Sequence, residues 1–157
     1  MPDWTADTNI WLRSSDPDHE MFPTATGAVE RVLETDDIFL LPQIVTEFWR
    51  VATATASQRG GFGWDITKAD LKVTQLELDF PVKYDSAQVY THWRALVTGA
   101  GVYGAQVYDA RIAAAMLAHG ITHLLTFNTD DFKRYAPSGI VAVNPNDLLA
   151  EEIANAE

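Results

Sequence analysis

Four short apolar runs, separated by windows of helical spacing, constrain the fold of this chain more than any other feature. The first run begins at Trp4 and reads as a buried strand ending near Asp7. The second is Ile38-Phe39-Leu40-Leu41, closed by Pro42, and residues 121–127 and 139–143 supply the other two. Unbroken apolar runs of this length fit strands covered on both faces. Between them, apolar residues fall three and four apart, as on one face of a helix. This spacing predicts helices over 24–34, 42–57, 67–78, 85–98 and 107–119, with a frayed terminal helix over 146–157. Pro42 suits a first helical turn. Thr67 is the expected N-cap of its helix, with Asp70 three residues on, and Gly120 is the expected C-cap of 107–119. Strands alternating with helices predict an α/β fold with a central parallel sheet. In such sheets the functional crevice lies beyond the carboxyl ends of the strands.

A chain of 157 residues suits a single domain over 1–157. Cys is absent, so a disulfide framework, a thiolate zinc site and a cysteine nucleophile are excluded. No apolar run approaches the roughly 18–20 residues of a membrane span. The start, Met1-Pro2-Asp3-Trp4, lacks the pattern of a signal peptide. The expected location is the cytoplasm, with no membrane partner. Eleven basic residues against 22 acidic ones give a formal net charge of −11. That balance disfavours a broad, non-specific nucleic-acid binder. It leaves room for a nuclease whose carboxylates hold cations that meet the phosphate.

Four acidic residues stand where a bland sequence would not put them. Asp7 interrupts an apolar strand, and Glu47 borders the apolar face of its helix among Ile44, Val45 and Phe48. Asp109 opens an Ala-rich helix, and Asp131 precedes Phe132 in a polar turn after an apolar strand. Each has a structural reading: a helix-dipole partner for Asp109, an ion pair with Arg50 for Glu47, a turn residue for Asp131. Asp7 is hardest to dismiss, because a carboxylate at a buried strand end needs a partner. If the four converge, their repulsion raises their pKa values and calls for a hard cation such as Mg²⁺ or Mn²⁺.

The motifs that carry these acids resemble a known family. Asp7-Thr8-Asn9, Glu47 on the second helix, Val107-Tyr108-Asp109-Ala110-Arg111-Ile112-Ala113-Ala114-Ala115-Met116, and the segment from Leu124 through Asn128 and Asp131 to Tyr135 resemble the PIN-domain pattern, and within it the VapC-type toxins of bacterial toxin–antitoxin pairs. The blocks occur in the family's order and span nearly the whole chain. The resemblance implies a three-layer α/β/α sandwich and an endoribonuclease using Mg²⁺ or Mn²⁺. It implies Asp7, Glu47 and Asp109 as the central metal-binding and catalytic acids. The fourth position falls to Asp131 or to Asn128, where the family often carries an acid. Thr8, Asn9, Thr126 and Asn128 are then supporting residues. Tyr108 stands where the family frequently has His. Implied partners are a selected structured RNA, a cognate antitoxin that places a basic side chain in the site, and a second copy of the chain.

The net charge requires local cations for an RNA. Arg50, Arg59, Trp64 and Lys133 are the expected RNA contacts, with Arg111 expected to neutralise the acids. Arg59 lies in a loop with Gly60, Gly61, Phe62, Gly63 and Trp64, whose rings either stack on unpaired bases or pin the loop to the core. A phosphatase using Asp7 as nucleophile wants a second Asp where Asn9 stands. A dinucleotide binder wants a Gly-x-Gly-x-x-Gly after the first strand, which is absent. The remaining alternative is a non-catalytic PIN-like domain that binds RNA or protein.

Overall fold

The computed structural model describes residues 1–58 and 60–156. The chain runs β1 (Asp3–Ala6), α1 (Thr8–Ser14), α2 (Phe22–Leu33), β2 (Asp37–Phe39), α3 (Pro42–Thr53), α4 (Ile66–Asp79), α5 (Ala87–Gly99), α6 (Val107–His119), β3 (His123–Leu125), β4 (Val141–Val143) and α7 (Pro145–Ala156). Short 3-10 turns occupy Gly104–Gln106 and Thr129–Ser138. The strands form one parallel sheet in the order β2-β1-β3-β4. Thr5 pairs with Phe39 on one side and Leu124 on the other, and Leu124 pairs with Ala142. Helices flank the sheet, with α1 against α2 and α3, α2 against α7, and α5 against α6. The architecture is the expected α/β/α sandwich.

Helix α6 is buried through Ala110 and residues 112–116, apolar nearly all round, as a helix inside a core must be. Its small alanines admit close neighbours, while Ile112 and Met116 each contribute about 1.5–3 kcal/mol of burial. It ends in a Schellman motif. Gly120 adopts φ 68°, its N–H donates to Leu117 O at 3.4 Å, and Ile121 N donates to Met116 O at 2.9 Å. The expected C-cap at Gly120 is present.

Several boundaries differ from the sequence reading. The first strand ends at Ala6, beside Asp7 as expected, but residues 8–14, with Ile10, Trp11 and Leu12, form a helix that the sequence reading did not place. Asp7 makes the switch by keeping an extended backbone while its Oδ1 accepts the Thr8 N–H at 2.8 Å. Helix α3 stops at Thr53 rather than at residue 57. The N-cap of α4 is Asp65, not Thr67, since Asp65 Oδ1 accepts the Lys68 N–H at 2.8 Å. The polar turn after β3 opens into the 3-10 run, which buries Phe132 and Tyr135 three residues apart, the spacing of one 3-10 face.

One loop contact gives a stability prediction. A Cβ on Gly61 would stand 2.3 Å from Ala54 O and 2.5 Å from Thr55 O, both backbone atoms that cannot swing away. Gly61→Ala should therefore cost about 1–3 kcal/mol through overpacking, read as a lower thermal midpoint. An unchanged midpoint would mean that the 54–61 turn repacks freely.

Candidate active site

The two central strands, β1 and β3, deliver the first residues of the site. β1 has β2 on one side and β3 on the other, so the chain reverses direction across the sheet at this pair. The crevice of a parallel sheet opens at such a point. Asp7 follows β1 directly, and its N–H donates to Leu125 O at 2.9 Å. Thr126 follows β3, and its N–H donates to Val143 O at 3.0 Å. The ladder thus fixes both residues side by side at the carboxyl edge. Thr126 Oγ1 donates to Asp7 Oδ2 at 2.8 Å, and Asn9 Nδ2 reaches the same oxygen at 3.4 Å. The Phe127 N–H donates to Asn9 Oδ1 at 3.3 Å, and the Asn128 N–H donates to Thr126 Oγ1 at 3.0 Å. Both Asp7 carboxylate oxygens, Asn9 Oδ1 and Thr126 Oγ1 thus each accept at least one hydrogen bond.

Glu47 enters from α3. Its Oε2 accepts from Thr8 Oγ1 at 2.9 Å, joining it to the residue after Asp7. Its Oε1 accepts from Gln43 Nε2 at 3.0 Å, one helical turn earlier on α3. Gln43 Nε2 also donates to Tyr108 O at 2.8 Å, tying α3 to the first turn of α6, where Asp109 stands. Arg111 Nη1 donates to Gln43 Oε1 at 3.0 Å, and its Nη2 meets Asp85 Oδ2 at 3.0 Å.

The four acids bear on one another's charge. Burial pushes the Asp7 carboxyl up, the Thr126 and Thr8 hydrogen bonds pull it back, and the charges of Glu47 and Asp131 raise it further. Asp109 is pushed up to about 6, first by burial and then by Asp7, Asp131 and Glu47, with Arg134 opposing. No hydrogen bond contributes to holding its charged form, so the carboxylate stands among like charges with one nearby cation. Among the described residues, no three His, Asp or Glu side chains are drawn into ligand contact around a single point. The donor set is nonetheless all oxygen and mutually repulsive, and a hard divalent cation fits it. Burial and like charge both favour neutralisation of Asp109, and a cation supplies that without a proton.

The PIN domain model matches residues 5–137, most of the chain. The chain belongs to the PIN domain family. Solved structures carry the same fold. VapBC2 from Rickettsia felis, bound to a DNA fragment from its promoter, superposes with a TM-score of 0.68 at 16% identity, over 90% of this chain and 98% of that one. The Mycobacterium tuberculosis VapC20, a sarcin-ricin loop cleaving toxin, gives 0.60 at 19% identity over 89% and 98%. A toxin–antitoxin complex from Klebsiella pneumoniae gives 0.59 at 21% identity over 90% and 96%. No curated protein matches the sequence.

The PIN fold gathers Asp7, Glu47, Asp109 and Asp131 into mutual electrostatic reach, with Thr8, Asn9, Thr126 and the Asn128 backbone as hydrogen-bonding support. Arg111 lies against Gln43 and Asp85, and the cation that bears on Asp109 is Arg134. Arg50 lines a cleft with Glu47 and Tyr108. Trp64 packs its ring 6.2 Å from Phe48 and 5.3 Å from Phe62, with Lys68 over its face. That is the reading in which the aromatics pin the loop. Lys133 pairs with Asp130 on an exposed surface. Arg59 lies outside the described residues. Sequence reasoning missed Gln43 and Asp85. Gln43 carries a usable signal, since it stands four residues before Glu47 on a predicted helix. Asp85 carries none.

Proposed function

We propose that this chain is a metal-dependent endoribonuclease, the VapC-type toxin of a toxin–antitoxin pair, that cleaves a selected structured RNA. The observation that carries the reading is the convergence of four carboxylates at the switch point of a PIN-domain sheet. The likeness to a sarcin-ricin loop cleaving toxin supports RNA as the substrate. The likeness to a toxin–antitoxin complex supports an antitoxin partner. Among the described residues no helix is long and apolar enough to cross a membrane. The cytoplasm is the location that belongs to this reading. A homodimer belongs to the same reading. Leu71 and Leu78 are exposed a heptad apart on α4, which supports an apolar protein contact on that face.

In this mechanism Asp7, Glu47, Asp109 and Asp131 would hold one or two Mg²⁺ or Mn²⁺ ions. Such an ion, when bound, lowers the pKa of a water and offsets charge that builds on the phosphate. Thr126 and Asn9 fix Asp7 Oδ2, and Thr8 N fixes Oδ1, so the carboxylate enters the reaction without rotating. Gln43 and Thr8 hold Glu47 from both sides. Glu47, the longest of the acids, would position a water beside the scissile phosphate. Arg134 keeps Asp109 closer to its charged form.

The test is incubation of total cellular RNA with purified protein in Mg²⁺, in Mn²⁺ and in chelator, beside Asp109→Asn. Discrete fragments should form only with a cation and only with the native chain. Folded native protein that cleaves nothing in either cation would shift the assignment to a non-catalytic PIN-like domain that binds RNA or protein.

A further inference from the structure

Helices α3 and α6 leave a cleft of about 730 Å³ beside the acids, with Gln43, Glu47, Arg50, Tyr108 and Arg111 among its walls. A second cleft of about 290 Å³ shares Asp85 and Arg111 with it and continues past Tyr90. The two share a wall at Asp85 and Arg111 and make one track from Glu47 to Tyr90. Two tyrosine rings stand open along it. Tyr108 is 61% exposed and Tyr90 60% exposed, while Val89, Trp93, Leu96 and Val97 of α5 and Ile112 and Met116 of α6 pack on the core. A single exposed tyrosine calls for no explanation. Two in one track, with a guanidinium between them and a reacting centre at one end, form a pattern with a chemical match.

The cations are placed in step with the rings. Arg111 lies on the wall common to both clefts, Arg50 lines the inner one, and Arg94 Nη1 donates to the Tyr90 hydroxyl at 3.0 Å at the outer end. The clefts set Arg50 and Arg111 against Glu47 and Asp85, so their lining is charge-balanced in a chain of net charge −11, with cations and exposed rings together in one groove. A single-stranded nucleic acid matches this alternation, since its bases stack on aromatic faces while its phosphates meet arginine. Arg111 is held by Asp85 in the free protein, and a phosphate entering the track would compete with that carboxylate. The Tyr108 carbonyl accepts from Gln43, so the backbone that carries its ring is tied down one residue from Asp109.

We propose that this track is a subsite for unpaired nucleotides flanking the scissile phosphate, with Tyr108 stacking on the first base and Tyr90 on a later one. The inference rests on the ribonuclease reading for its place in the reaction, and its test is binding without cleavage. The probe is a 5′-fluorescein single-stranded RNA octanucleotide of mixed sequence, followed by anisotropy in chelator. Tyr108→Ala should weaken binding about tenfold or more, the size expected for one lost base stack. Tyr108→Phe keeps the ring and should bind as the native chain does. Tyr90→Ala should weaken binding less. Both side chains are at the surface, so the thermal midpoints of all three variants should stay at the native value.

Native affinity in Tyr108→Ala overturns the proposal and leaves the cleft to a protein segment. Absence of oligonucleotide binding by the native chain overturns it as well. Loss of the nuclease reading is seen separately, as native protein that binds the octanucleotide and cleaves no RNA in any cation.

Discussion

Asp7→Asn is expected to abolish RNA cleavage while leaving the protein at least as stable as the native chain. The two effects come from different parts of one side chain. Asn keeps an oxygen for the Thr8 N–H, and Asn caps a helix about as well as Asp does. The Thr126 hydroxyl now donates to a carboxylate oxygen, and it can turn to accept from an amide instead. What disappears is a buried negative charge that Glu47 and Asp131 both oppose. Its loss removes a desolvation cost and two repulsions. The reaction loses an anionic cation ligand and the preset charge it provides, worth on the order of 10²–10³-fold or more in rate. Asp7→Ala separates the roles, because it also loses the cap and should cost about 1 kcal/mol of stability. The checks are the thermal midpoint in chelator and the initial cleavage rate at saturating Mg²⁺ or Mn²⁺. Activity within a fewfold of native would take Asp7 out of the mechanism. A drop in midpoint equal to that of the Ala variant would make the carboxylate a structural residue.

What the sequence made legible depends on how local each determinant is. Helix α6 reads correctly from end to end because its burial, its small residues and its Gly120 cap all lie within one window. Helix α1 is hidden for the opposite reason. Only Asp7-Thr8-Asn9 separate the apolar residues of strand and helix, and the boundary is set there by the extended backbone and capping side chain of Asp7. The strand expected over 121–127 shrinks to His123–Leu125 because Ile121 is spent on the α6 cap and Thr126 on the site. The four acids were legible as misfits, each odd in its own segment. The scaffold behind Glu47 was not. It joins Gln43 to Arg111 across 68 residues and Arg111 to Asp85 across 26, and no local pattern encodes such pairings. Arg111 looked like a partner for the acids because it is two residues from Asp109. On a helix, that spacing turns it to another side, toward Asp85 and Gln43.

The Asp109 carboxyl predicts how the metal-free protein responds to pH and how a cation changes that response. Its folded pKa of about 6 lies above the ordinary 3.8, because burial and the charges of Asp7, Asp131 and Glu47 oppose ionisation. Between those values the folded chain keeps a proton that the unfolded chain has released. Stability from this group is therefore present at about pH 4, falls as pH rises, and is gone above about pH 6. Asp7 is raised in the same direction and adds to the loss. Because Asp109 is only half-buried, solvent screening reduces the effect to roughly 1–2 kcal/mol. Other groups titrate in this window, so the quantity to follow is a difference. In chelator, the midpoint of Asp109→Asn minus that of the native chain should grow between about pH 4 and pH 7. Saturating Mg²⁺ or Mn²⁺ should then reverse the order at pH 7. The ionised cluster binds the ion, and an ion at 100 times its Kd stabilises by about 2.7 kcal/mol. The Asn variant, short of one ligand, should gain less. A midpoint difference that stays flat with pH would mean that Asp109 is not under the repulsion described. Equal stabilisation of both proteins by the cation would place the ion away from Asp109, and with it the chemistry.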